Sequence, residues 1–277
     1  MKRDRAKPLV RIPAPAALVR PAHRKRFGQH FLHDRNVVDR ILVAFQPQAS
    51  DHVIEIGPGP GVLTRALVGR VGQLEAVEID RDLAARLRTE FTPAQLTLHQ
   101  ADALDFDFCG RAPPGGQLRL IGNLPYNIST PLLFHLIEHS ACTRDMLFML
   151  QKEVVERLAA RPGGKDYGRL TVMIQWRLQV EKLFEVASSA FRPPPKVASA
   201  VVRLRPHSQP PIAVHDPERF SLLVRRAFAQ RRKTLRNTLK GLVTAQAMQD
   251  SGIDPARRAE TLSLQEFARL ADAPEES

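Results

Sequence analysis

His52-Val-Ile-Glu-Ile-Gly-Pro-Gly-Pro-Gly61 reads as a buried strand running straight into a glycine loop. Val53, Ile54 and Ile56 are apolar and β-branched, which suits a strand covered on both faces. Gly57, Gly59 and Gly61 follow at alternate positions, and Val62–Val68 continues as a helix. Strand, glycine turn and helix in that order open a βαβ unit. Working outward, the alternation continues. A strand over Leu74–Ile79 precedes a helix over Arg81–Phe91 and a short strand over Leu96–Leu98. A strand ending at Ile121 leads into another helix. Then come a strand over Asp145–Leu150, helices over Lys152–Ala159 and Arg169–Leu178, and strands over Val180–Val186 and Val197–Leu204. This alternation from 52 to 204 predicts an α/β fold with a doubly wound, mainly parallel sheet. Its ligand is expected beyond the carboxyl ends of the strands.

The chemistry-bearing residues fall at those ends. A dinucleotide fingerprint wants its third glycine one position later than Gly61, where this chain has Val62. The alternate spacing resembles instead the loop that carries S-adenosylmethionine, where only glycine allows backbone to approach the ligand or adopt a positive φ. Glu78 lies at the carboxyl end of the second strand, about 20 residues beyond the first glycine, where a carboxylate can accept from both ribose hydroxyls. Asp102 follows the third strand, and Asp105 and Asp107 beyond it read as solvated acids.

The fourth strand ends in Ile121-Gly-Asn-Leu-Pro-Tyr-Asn-Ile-Ser129. Asn123 offers an amide acceptor, Leu124 and Pro125 offer carbonyls at a bend, and Tyr126 offers a ring. Together they can hold a planar base. The amide oxygen and a backbone carbonyl accept both hydrogens of an exocyclic amine while the ring stacks. Alone, the same residues also read as a strand end, a turn and a helix cap, with Thr130 as N-cap and Pro131 at the first helical position.

The 277 residues carry a net charge of +12 and a pI near 10.5, which favours a polyanionic partner, nucleic acid first. No run approaches the roughly 18 apolar residues of a membrane span, and the charged N-terminus lacks the apolar core of a secretory signal. A cytoplasmic protein with no membrane contact is expected. Cys109 and Cys142 lack metal-ligand spacing and read as buried or incidental thiols. No metal is expected.

Residues 1–26 read as a basic disordered arm, broken by Pro8, Pro13, Pro15 and Pro21 and ending in His23-Arg-Lys-Arg26. Asp34 can cap a helix whose apolar face is Val37, Val38, Ile41, Leu42 and Phe45. The loop Arg161–Gly168 exposes Lys165 and Tyr167 to a possible RNA. Phe191-Arg-Pro-Pro-Pro-Lys-Val-Ala-Ser199 is a stiff proline loop. Pro206–Pro217 is a natural linker, and only short helices follow it. The expected organisation is therefore a catalytic domain over 27–206, a linker over 207–217 and a helical domain over 218–277. In the last of these, Arg231, Arg232, Lys233, Arg236 and Lys240 crowd one short helix, which points to phosphate contact.

The glycine loop, the Asn123–Tyr126 loop, Gly28-Gln-His-Phe-Leu32 and the proline loop are similar together to the small-subunit ribosomal RNA adenine dimethyltransferase family. The resemblance runs from about Phe27 to Phe267. It implies a Rossmann-like class I methyltransferase fold with a small all-α C-terminal domain. It implies methyl transfer from S-adenosylmethionine to the N6 amine of two adjacent adenines near the 3′ end of small-subunit rRNA, within an immature subunit, by a monomer. In this family His30 and Leu32 would contact the cofactor, as would Gly57, Gly59, Gly61, Glu78, Asp102 and Asn123. Asn123, Leu124, Pro125 and Tyr126 would receive the base and Phe191 would stack on it. A large-subunit rRNA methyltransferase conferring antibiotic resistance shares these loops. A DNA amino-methyltransferase and an assembly factor on the same scaffold are further alternatives.

Overall fold

The computed structural model describes residues 30–274; the expected arm over 1–26 and the segment Phe27–Gln29 lie outside the described residues. The chain runs β1 (Phe31–Leu32), α1 (Arg35–Phe45), β2 (His52–Ile56), α2 (Val62–Leu67), β3 (Gln73–Val77), α3 (Arg81–Glu90) and β4 (Thr97–His99). It continues through β5 (Leu118–Asn123), α4 (Ser129–Glu138), β6 (Thr143–Gln151), α5 (Lys152–Leu158), α6 (Arg169–Arg177) and β7 (Leu178–Val186). After β8 (Phe191–Arg192) and β9 (Ser199–Pro206) come α7 (Pro217–Ala227), α8 (Leu235–Thr238), α9 (Ala245–Asp250) and α10 (Leu264–Ala271).

Seven strands form one sheet in the order β4-β3-β2-β5-β6-β9-β7. From β4 to β6 all pairings are parallel, and β9 runs antiparallel between β6 and β7. Every residue of β2 is buried, as its near-continuous apolar run requires of a central parallel strand. The strand order reverses between β2 and β5, and ligands bind at that reversal in open α/β sheets.

Local signals set the helix starts. Asp34 accepts from the amides of Asn36 and Val37, and Asp80 accepts from those of Asp82 and Leu83. The start of α4 differs from expectation. Ser129 Oγ donates to the Tyr126 carbonyl, the helix begins at Ser129, and Thr130 and Pro131 lie inside its first turn. Pro131 costs nothing there, because first-turn amides have no intrahelical partner.

One face of the sheet packs α1, α2 and α3 in a core that includes Leu42, Phe45, Leu67 and Leu87. The other face packs α4, α5 and α6, and that core continues without a break into the C-terminal helices. The rings of Trp176 and Phe220 stand 4.7 Å apart across the join. The stretch expected as a linker carries no helix or strand between β9 and α7, yet its Ile212 is buried.

Two sequence expectations fail on packing. Cys109 and Cys142 are joined by a disulfide rather than standing as separate thiols. Cys142 lies in the turn directly before β6 and Cys109 in the helical turn that precedes its parallel neighbour β5 by a short loop, and their Cα atoms stand 5.5 Å apart. Tyr167 is not available to RNA, because it is 3% exposed and packs on the Phe228 ring. Among the described residues no helix is long and apolar enough to cross a membrane, and no group of three or more side chains could hold a metal.

Candidate active site

A cavity opens beyond the carboxyl ends of β2, β3 and β5 and encloses about 1050 Å³, counting the solvent at its mouth. Three chain segments form its floor. The first is the glycine loop. Gly57 and Gly59 hold φ of +66° and +55°, which favour glycine. A Cβ on Gly59 would stand 3.2 Å from the Phe31 ring, so β1 closes down on bare backbone. Gly61 does not line the cavity, contrary to expectation. Its role is packing, since a Cβ there would meet Leu87 at 2.8 Å.

The second segment carries the acids. Glu78 and Asp102 both line the cavity, as the strand-end rule predicts. Glu78 is 5% exposed and accepts from the amides of Gly59 at 3.0 Å and Asp80 at 2.8 Å. Burial raises its carboxyl above the usual range, against the pull of those two amides. Each oxygen keeps a further lone pair for a ligand hydroxyl. Asp102 turns one oxygen to the Leu104 amide at 2.9 Å.

The third segment is the loop after β5. Asn123 donates through Nδ2 to the His30 carbonyl at 2.9 Å. A carbonyl only accepts, so this bond fixes the amide and leaves Oδ1 as the free acceptor. The Leu124 side chain is buried, and its backbone carbonyl has no hydrogen-bond partner among the described residues. The Pro125 carbonyl already accepts from the Ile128 amide at 3.2 Å. Of the two carbonyls foreseen for the amine, Leu124 therefore offers the vacant one. Tyr126 is tethered by its hydroxyl to Ser199 Oγ at 2.6 Å, and burial raises that hydroxyl's pKa. Its ring lies 5.5 Å from His30, tilted by 31°.

His30 ties these parts together. Its Nδ1 lies 2.8 Å from the Pro193 carbonyl, so Nδ1 carries the proton and donates. Its own carbonyl holds Asn123, its ring flanks Tyr126, and His30 and Leu32 both line the cavity. The neighbouring β1 pairs with β8 of the proline loop. That pairing explains why Phe191 departs from its expected stacking role. Phe191 sits opposite Leu32, is 1% exposed, and packs in the core with Leu32 and Leu42. It presents no free face to a base.

Two contributors escaped the sequence reading. Glu55 lies fully buried under the glycine loop, lines the cavity and accepts from Thr64 Oγ1 at 2.6 Å. Burial pushes its carboxyl up to about 7, with the nearby Glu78 adding to the rise. A lone acid within the apolar run Val53–Ile56 was its readable signal. Ser199 is the other, and only the folded chain brings it to Tyr126.

The basic residues lie apart from the cavity. Arg231, Arg232 and Lys233 are exposed in the turn between α7 and α8, not on a helix as expected. The run from Ala229 to Lys233 offers no apolar residue at helical spacing, so nothing docks it as a helix. Arg236 lies in α8 and Lys240 just beyond it, both exposed. Arg231 donates to the Lys165 carbonyl. No carboxylate pairs with any of these cations among the described residues.

Comparison with known proteins supplies a family. The profile of the family described as "Ribosomal RNA adenine dimethylase" matches residues 21–275. The chain is 54% identical over 250 residues to the ribosomal RNA small subunit methyltransferase A of Pseudomonas putida, covering 90% of this chain and 94% of that one. The protein of the same name from Hahella chejuensis is 55% identical, covering 90% and 92%. Among solved structures, a dimethyladenosine transferase from Plasmodium falciparum is similar at a TM-score of 0.72 and 26% identity, over 87% of this chain and 96% of that one. The 23S rRNA methyltransferase ErmE is similar at 0.66 and 27% identity, over 87% and 98%.

Proposed function

The chain belongs to the ribosomal RNA adenine dimethylase family, and from that premise we propose how its cavity serves the reaction. It is a methyltransferase that dimethylates adenine N6 in small-subunit rRNA. The finer reading is two adjacent adenines near the 3′ end, on an immature small subunit, by a cytoplasmic monomer.

The cavity suits S-adenosylmethionine. Bare glycine backbone under Phe31, the buried acceptor Glu78 and the acid Asp102 match an amino-acid end, a ribose and an adenine amine. When bound, that cosubstrate supplies an electrophilic methyl on a sulfonium. Glu78 accepts from the ribose hydroxyls, and Asp102 accepts from the adenine amine. His30 and Leu32 close the opening from above.

The target adenine enters unstacked from its strand, as a base must to reach an enclosed site. Asn123 Oδ1 and the Leu124 carbonyl accept its two N6 hydrogens and turn the nitrogen lone pair toward the methyl. The Tyr126 ring stacks on the base, held in plane by Ser199. Positioning and electrostatics carry most of the rate, because the amine becomes acidic once methylated and sheds its proton readily. The observation that carries this reading is the Asn123 amide. It is locked through His30 beside a vacant carbonyl, in the same cavity as Glu78 and Asp102. The test is transfer of labelled methyl from S-adenosylmethionine to immature small subunits, with large-subunit RNA and duplex DNA as competitors. Label confined to the small subunit supports the reading, and label on large-subunit RNA alone would replace it.

A further inference from the structure

Arg169 and Arg225 hold an unusual position. Arg169 opens α6, and Arg225 stands in the last turn of α7, which packs beside it. Both are exposed, and no carboxylate pairs with either among the described residues. The Arg169 guanidinium lies over the Phe134 ring at 4.7 Å, so it is held in place rather than free to swing. Partial burial, with the charge of Arg225 adding to it, depresses its basicity. A cation in the first turn of a helix also opposes the helix dipole, whereas Arg225 at a helix end suits it. Without a partner, two guanidinium groups would separate into solvent. Here packing on Phe134 holds Arg169 at the start of α6, and α7, which carries Arg225, packs against that helix, meeting it at Trp176 and Phe220.

The pair joins the two functional regions. Phe134 lies five residues into α4, about 8 Å along the helix from the loop that receives the base. On the other side, Arg231 holds the carbonyl of Lys165, four residues before Arg169. Arg225 lies on the helix that leads directly into Arg231–Lys233. Arg169 and Arg225 therefore stand on helices between α4, which starts beside the Asn123–Tyr126 loop, and the basic turn.

We propose that Arg169 and Arg225 together grip one backbone phosphate of the RNA whose adenine enters the cavity. The guanidinium fork matches phosphate oxygens, and one anion relieves both cations at once. The clamp rests on the rRNA reading above. It fixes the strand between the flipped base and the contacts made by the basic turn.

The test measures binding of immature small subunits to the full chain across a salt series, for the unaltered protein and for Arg169→Gln combined with Arg225→Gln. Removing one phosphate contact should lower the slope of log K against log salt by about 0.7 to 0.9. That is about a five- to eightfold loss of affinity at 0.1 M salt. KM for particles should rise by the same factor, with kcat at saturation and binding of S-adenosylmethionine unchanged. Arg169→Lys should keep the slope. A double variant with unaltered slope and KM would overturn the clamp, provided that Arg232→Gln with Lys233→Gln weakens binding in the same assay. If the unaltered chain binds no particles, the rRNA reading falls and the clamp with it.

Discussion

Replacing Asn123 by alanine removes two things at once, and the structure separates them. Oδ1 is lost as an acceptor for the target amine, and Nδ2 is lost as the donor to the His30 carbonyl at 2.9 Å. The first loss is catalytic. Deleting one aligned polar contact to a transition state costs about 10² to 10³ in kcat, or about 3–4 kcal/mol. The second is structural and worth about 0.5–1.5 kcal/mol, a fall in Tm of about 2–5 °C for a chain of this size. Asn123→Asp divides the effects. It keeps an acceptor facing the base but sets a carboxylate against the His30 carbonyl. It should therefore retain more activity than Asn123→Ala while losing at least as much stability. Single-turnover transfer of labelled methyl to small-subunit particles gives the first quantity, and thermal unfolding gives the second. An Asn123→Ala protein with unaltered kcat would refute the placing of the amine between Asn123 and Leu124.

Glu55 predicts a pH effect of definite sign. Its folded pKa of about 7 lies above the ordinary 4.5, so the fold is penalised as pH rises from below 4.5 through 7. Glu55→Gln should relieve that penalty, with stability rising by about 2–3 kcal/mol at pH 8.5 relative to pH 5; urea unfolding at the two pH values checks it. Glu78→Ala leaves the amides of Gly59 and Asp80 without their acceptor. Calorimetry should show S-adenosylmethionine binding weakened at least tenfold, with a stability loss of about 2–3 kcal/mol. Phe191→Leu keeps an apolar side chain in the buried slot and should leave kcat/KM within about threefold, whereas Phe191→Ala should cost about 3–5 kcal/mol of stability. A hundredfold loss of kcat/KM in Phe191→Leu would restore the stacking role.

The convergence of Gly57, Glu78, Asp102 and Asn123 on one cavity was legible because they sit at strand ends. In a parallel sheet every such end points to one crevice, so the four converge whatever lies between them. Gly61 was read as a ligand contact because spacing cannot separate a glycine that approaches a ligand from one that clears Leu87. Phe191 and Tyr167 show a second limit. Both are aromatics in proline- or glycine-rich loops, and their burial depends on tertiary partners, Leu32 for one and Phe228 for the other. The basic run over 231–233 was read as part of one short helix, yet it has no apolar face to dock and forms a turn. The join between the sheet domain and the C-terminal helices was equally hidden. Pro206–Pro217 reads as a boundary, while the pairing of Trp176 with Phe220 makes one core of both sides.

The central claim is that this cavity sets two methyl groups on adenine N6 of small-subunit rRNA. Nucleoside analysis of immature small subunits after incubation with the protein and S-adenosylmethionine tests it most directly. The expected product is N6,N6-dimethyladenosine at two adjacent positions, lost in Tyr126→Ala while particle binding persists. Particle binding with no methylated adenosine would contradict it and leave the Asn123–Tyr126 loop without a catalytic task.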